Sequence, residues 1–397
     1  MWVRALYWLY MSMFSFASSK VKPVAIADIQ NGSVSIAIAF PHRDRPLEML
    51  AVGRSDLSFE DRTADAVIAA LPEQIDEAGK KALEAYAEAR KTYGPVARAY
   101  AVINTPWVRS QTIRTISKFD TEVAVTDQMI SDLAQQALDE STEIDIPNLL
   151  EANVVRIELN GYVTTAPSGK HAHKISVYAL VSGCDTRVRA IAQEGLQKLF
   201  PGAPIAFRSQ LRTLLSVTEA LPDIAKDYCL IDIARDASII ANIHTGLSMA
   251  HKTVGEGLLS IVKRVAGPGM PEETLALLRM AEDETCSTSA CAAINDATAR
   301  AEPELVRIFA DAMVELAASR YLPPTLILLC EDALAPWLTG LFSRIDFTQF
   351  TTTTRPFNVL ALDAASLHPF VAAPAQTLID RRLLLAAALV HIEGRRA

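Results

Sequence analysis

The chain has 397 residues, 50% hydrophobic and 21% charged, which is material for two or three packed domains rather than a disordered tail. A net charge of −8 and a pI near 5.5 exclude the clustered basic surface that nucleic-acid phosphates reward. Five cysteines, Cys184, Cys229, Cys286, Cys291 and Cys330, contain no C-x-x-C pair, so we expect a reducing, cytoplasmic compartment with neither a disulfide framework nor a zinc site.

The first segment, Trp2 to Ala17, carries one charge, Arg4. As a helix it puts Trp2, Leu6, Leu9, Met13 and Phe16 on one face, with Arg4, Ser12, Ser15 and Ser19 opposite. Three readings stand: an interfacial anchor touching the inner face of the cell membrane through Trp2 to Phe16, a secretory signal with Ala5 to Ala17 as its apolar core, or an extension ahead of a start at Met11 or Met13.

Two apolar runs then meet at Asn31-Gly32 in VAIADIQNGSVSIAIA, Val24 to Ala39, with Asp28 just ahead of the turn. Asn-Gly supplies the positive φ angles of a two-residue hairpin, and the flanks alternate as half-buried strands do. A third strand follows over Pro46 to Ser55, then a long helix from about Asp61 to Lys91, then a buried strand, Ala97 to Asn104. From Pro106 to Phe200 the pattern changes to an α+β module. It holds a strand at SQTIRTISKF, a helix from Thr126 to Ser141 capped by Thr126, strands VVRIELNGYVTT and KISVYALVSG, and a helix from Arg187 to Phe200. His171 and His173, in the connection of those two strands, have no third ligand nearby and read as solvated loop residues.

At Tyr228 the opening pattern returns: YCLIDIARDASIIANIHTGLSMAHKTV is again strand, aspartate, turn, strand, turn at Thr245-Gly246, strand, with Asp232 in the place of Asp28. A helix follows, Gly255 to Ala266, and recurrence after about 200 residues suggests a duplicated domain. Gly255 and Gly257 open that helix and could present N–H groups to an anion. Pro268 to Ala318 reads as helical, Thr351 to Thr354 with FNVLALDA as returning strands, and Ala375 to Ile392 as a closing core helix. No G-x-S-x-G, H-E-x-x-H or Walker-type phosphate loop is present.

The order of ADIQNGSVSIAIA, the ELNGY strand, LIDIARDASII, VGEGLLSIVKRVA and LILLCEDALAPWL resembles the actin-like ATPase superfamily, and within it FtsA- and PilM-like chains with an inserted SHS2-type module. The resemblance implies an α/β fold of two actin-like, ribonuclease H-like domains with mixed sheets around a cleft. The implied division is an apolar segment 1–20, a first domain 21–105 resumed at 201–226, the inserted α+β module 106–200, and a second domain 227–397 with a helical subdomain 268–320. ATP would sit between the hairpins, with Asp28 and Asp232 holding magnesium through water. Gln30, Asn31, Gly32 and Ser33 would lie at the first hairpin, Ala234, Arg235 and Ser238 at the second, and Cys330 and Glu331 at the adenosine turn ahead of Pro336 and Leu338.

The departures from that pattern bear directly on activity. Where the family carries glycines, this chain has Gln30, Ala234, Arg235 and Asp236, and the adenosine Gly-Gly is Cys330-Glu331. Glycine serves there because phosphate must reach backbone N–H groups with no Cβ between them. A carboxylate such as Asp236 or Glu331 at about 6 Å from a phosphate charge costs roughly 3 kcal/mol at an effective dielectric near 20. Arg235 could pair with a phosphate, or bridge Asp236 or Asp232 in an empty cleft. The expectation is weak or absent Mg-ATP binding, no catalytic residue, and a scaffold of cell-division or type IV pilus type. Such a scaffold would bind the cytoplasmic segment of a membrane protein through its module and self-associate. A working ATPase of the same fold and a small-molecule kinase on it are the rival readings.

Overall fold

The computed structural model describes residues 21–396, leaving out 59, 61, 143, 283–284, 319–320, 346–350, 352–355 and 375–378. The expected anchor, Trp2 to Phe16, lies outside the described residues, as do 352–354 of the expected returning strand region and the expected start of the closing helix. Among the described residues no helix is long and apolar enough to cross a membrane.

The first sheet opens with β1 (Val24–Gln30), β2 (Ser33–Phe40) and β3 (Leu47–Asp56), joined antiparallel in that order. Every residue of β1 and all but the last of β2 are buried, so these are central strands covered on both faces and not half-exposed ones. Helix α1 (Ala64–Tyr86) is capped by the Thr63 hydroxyl and packs on this sheet. Its contact with β3 is close: a Cβ on Gly53 would stand 2.1 Å from the Ala78 carbonyl oxygen. A short helix, α2 (Ala89–Tyr93), leads to β4 (Arg98–Ile103), parallel to β1.

Between β4 and its neighbour in the sheet, β9 (Ile205–Ser209), runs the four-stranded antiparallel sheet of β5 (Val108–Ala124), β6 (Leu149–Leu159), β7 (Tyr162–Val163) and β8 (His171–Cys184), in the order β5-β8-β6-β7. Helix α3 (Asp127–Asp139), capped by Thr126, covers one face of it. His171 and His173 are exposed positions of β8 and not of a loop. Helix α4 (Thr186–Leu199), counted with the module above, packs on α1, where Gly79 faces Leu199 and Gly195 faces Ile75.

After α5 (Gln210–Ala220), β10 (Tyr228–Ile233), β11 (Ser238–His244) and β12 (Leu247–Val254) repeat the antiparallel opening. Helices α6 (Leu258–Ala266), α7 (Pro271–Glu282) and α8 (Thr288–Ala317) follow, then β13 (Thr325–Leu329), α9 (Ala335–Arg344), β14 (Asn358–Ala361), β15 (Val371–Ala372) and α10 (Arg381–Arg396). The two large sheets read β15-β3-β2-β1-β4-β9 and β12-β11-β10-β13-β14. In each, a meander of three strands is extended by two parallel ones beside the first, so the two halves share one topology.

Helices α5 and α10 lie between the sheets in a common apolar core that runs from Ile26 and Met49 to Leu230 and Leu329. Leu383 to Val390 of α10 are all buried there. At the far end of α10, Glu393 accepts from Arg208 of β9 and Arg212 of the helix Gln210–Ala220, and Arg212 also pairs with Glu151 of β6, a buried charged tie among four elements.

Two further sequence expectations change. Cys286 and Cys291 form a disulfide, their Cα atoms 5.7 Å apart across the start of α8, because the Ser287 cap turns the chain back on itself. At Asn31-Gly32 only Gly32 takes positive φ, +95°, whereas both residues do so at Thr245-Gly246.

Candidate functional site

The duplicated topology puts Asp28 and Asp232 at equivalent places, beside the ends of the neighbouring parallel strands at Val102 and Leu329. Both carboxylates are almost wholly buried. Asp28 accepts from Gln30 Nε2 at 2.6 Å and from Asn104 Nδ2 at 2.8 Å. Burial, and then the nearby charge of Asp380, push its pKa up to about 7 against those amide bonds. Asp232 accepts from Gln210 Nε2 and forms an ion pair with Arg382 Nη2 at 2.6 Å. Burial raises the Asp232 pKa and the Arg382 charge opposes that rise.

Arg382 enters from the first turn of α10 and also donates to the Ile233 carbonyl at 2.8 Å. Two residues earlier, Asp380 accepts from Gln30 Nε2 at 2.9 Å, from Arg54 Nη1 at 2.7 Å and from the Arg382 backbone N–H at 2.8 Å. The start of α10 thus touches both hairpins at once.

The hairpin tips close on each other. Asn31 Nδ2 donates to Asp236 Oδ2, which draws the Asn31 side chain across to the second half. Arg235 lies over Gly32 and donates to the carbonyls of Leu57 at 3.1 Å and Ser58 at 2.6 Å. A Cβ on Gly32 would stand 2.6 Å from Arg235 Cδ, so this guanidinium covers the turn itself. Arg235 bridges into the first half; its Nε stands 3.8 Å from Asp236, the looser of its contacts.

The other expected residues are satisfied locally. Ser33 is buried, and Ser238 Oγ donates to the Glu256 carbonyl at 2.5 Å. The Ala234 N–H donates to the Ala237 carbonyl at 3.0 Å, and the carbonyls of Ala234 and Arg235 accept from Leu258 and Leu259, each at 2.8 Å. Those bonds consume the first N–H groups of α6, while the Gly257 N–H goes to Ser260 Oγ at 2.9 Å. Gly257 is required sterically, because a Cβ there would meet the Ala237 nitrogen at 2.5 Å. Gly255 is exposed and stands apart from this cluster. Cys330 is buried with its thiol pushed up to about 12 by desolvation, and Glu331 pairs with Arg279 at 2.8 Å. Asp332 pairs with Arg381.

Whether phosphate and magnesium would fit can be judged from this packing. The cavity bordered by Asp28, Asn104, Gln210 and Arg382 measures about 10 Å³, room for about one water. A second, between Arg109, Gln210 and His251, measures about 30 Å³. Neither accepts a phosphate chain, and Asp232 is already neutralised by Arg382. Among the described residues no group of three or more His, Cys, Asp and Glu side chains is arranged to hold a metal ion. The nucleotide and its magnesium do not fit the cleft as these side chains fill it.

Sequence patterning missed Asn104, Gln210, Asp380 and Arg382. The one available signal was the run Asp380-Arg381-Arg382 directly ahead of an apolar helix, since charges at the mouth of a buried helix need partners.

Paired hairpins, equivalent buried aspartates and two sheets of like strand order define an α/β protein with a repeated topology. The chain has the actin-like ATPase fold. A chain of the PilM-PilN type IV pilus biogenesis complex aligns with a TM-score of 0.51 at 13% identity, covering 93% of this chain and 98% of that one. Ethanolamine utilization protein EutJ from Carboxydothermus hydrogenoformans aligns at 0.41 and 12% identity, covering 98% and 96%. A diol dehydratase-reactivating factor in nucleotide-free form aligns at 0.42 and 10% identity, covering 84% and 96%. No protein-family model matches the chain, and no curated protein matches it. At such identities the likeness is one of fold.

Proposed function

We propose that this protein is a scaffold on the actin-like fold, FtsA- or PilM-like, whose nucleotide cleft is degenerate and whose work is to hold partners together. The observation that carries this reading is Arg235 laid across Gly32, its guanidinium bonded to Leu57 and Ser58 where the first hairpin would have to receive phosphate. Asn31 and Asp236 join the same hairpin tips. An enzyme that cycles on ATP needs that space to open and fill; here the protein's own polar groups satisfy it.

The partner we propose is the cytoplasmic segment of a membrane protein, taken by the inserted four-stranded module, with self-association as a second contact. That a neighbour of like fold was solved in a pilus biogenesis complex supports this class of role. Membrane contact through Trp2 to Phe16 would place the assembly at the inner face of the membrane.

Phosphate release under saturating Mg-ATP tests the scaffold against the ATPase. We expect release at the buffer rate; turnover that disappears in Asp232→Ala would contradict the scaffold reading.

A further inference from the structure

The cleft contains two carboxylates that burial alone would force apart or neutralise, and one cation placed to prevent it. Asp28 and Asp232 come from equivalent strands of the two halves, and neither is open to solvent. Arg382 comes from a third element, the helix that lies between the two sheets, and is itself buried. Its guanidinium meets Asp232 at 2.6 Å and the Ile233 carbonyl at 2.8 Å, and borders the same small cavity as Asp28. Through Asp380, which caps its backbone, the same turn holds Gln30 and so Asp28.

We propose that Arg382 is a built-in cation for the paired aspartates, so that the two halves are held closed by the chain's own charge and the closed state needs no bound metal or ligand. The idea rests on the proposed degenerate cleft and states what replaced its ligand. An arginine suits the place because its planar fork can bind a carboxylate and a carbonyl together and it stays charged when buried. Removing it leaves at least one buried carboxylate uncompensated, the costly way to break a buried pair, whereas removing both charges is far milder.

Thermal melts of the full chain with and without 5 mM Mg²⁺, for wild type, Arg382→Met and Asp232→Asn with Arg382→Met, test this. Arg382→Met should melt about 5–10 °C below wild type. The double variant should recover most of that loss. Mg²⁺ should raise the melt of Arg382→Met by at least about half the deficit, because a divalent ion binds only where the aspartates have lost their arginine. Wild type and the double variant should not respond.

Four results would each overturn the proposal: a wild type raised by Mg²⁺, an Arg382→Met variant that melts with wild type, one that Mg²⁺ leaves unchanged, or a double variant no better than the single. If Arg382→Met does not fold, Arg382→Lys and the double variant decide. Both should fold and ignore Mg²⁺, and failure of either to do so counts against the idea. Mg-ATP binding by wild type is a separate matter that would sink the scaffold reading, so the two failures are distinguishable.

Discussion

Asp28 shows how strongly burial sets the chemistry of the first hairpin. Its carboxyl goes from the ordinary 3.8 to about 7 on folding, chiefly through desolvation, so the folded chain binds a proton that the unfolded chain releases between those values. The stability this lends is complete below about pH 4 and is lost as the pH climbs through 7. Asp28→Asn keeps the amide-sized side chain and removes the titration. Urea denaturation should therefore show the variant gaining on wild type from pH 5 to pH 8, and an unchanged difference across that range would contradict it. Asp28 and Asp232 were legible in sequence because a carboxylate ahead of a hairpin turn recurs about 200 residues on. Their partners were not: Gln30 bonds a residue 350 positions away and Arg382 a carbonyl 149 positions away, separations that no local pattern records.

At the scale of elements, α10 is the piece on which both sheets depend. Its Leu383 to Val390 stretch is buried against both large sheets and α5, so large-to-small changes there leave a cavity that neither sheet can collapse to fill. Leu383→Ala should cost about 2–5 kcal/mol in urea unfolding. Lys80→Ala, on the exposed face of α1 and paired with Asp76 at its surface, should leave the urea midpoint essentially unchanged. A Leu383→Ala loss no larger than that of Lys80→Ala would mean α10 is not part of the core. The helix was legible from its apolar run, but its start was placed at Ala375, whereas the helix begins at Arg381, after the Asp380 cap. Alternation also misled at β1 and β2. Alanine and isoleucine alternate there with both faces buried, so the pattern that marks a half-exposed strand marked a central one. The Cys286–Cys291 link went unforeseen because its residues lie in a stretch read only for helix propensity, and bridging them depends on the turn at Ser287.

For the whole molecule, the repeated order of elements was readable from the sequence of motifs, since each half repeats three strands and an aspartate before its helices, whereas the strand order within each sheet was not. What the sequence could not display is how the halves meet: Asn31 to Asp236, Arg235 to Leu57 and Ser58, Arg382 to Asp232. Each contact uses a side chain where glycine or empty space would be needed for phosphate, and on the proposed reading they together turn a cleft into an interface. Isothermal titration of the full chain with Mg-ATP tests that claim most directly. Saturable heat should be absent into the high-micromolar range; low-micromolar binding that is lost in Asp28→Ala would show that the cleft opens to nucleotide after all.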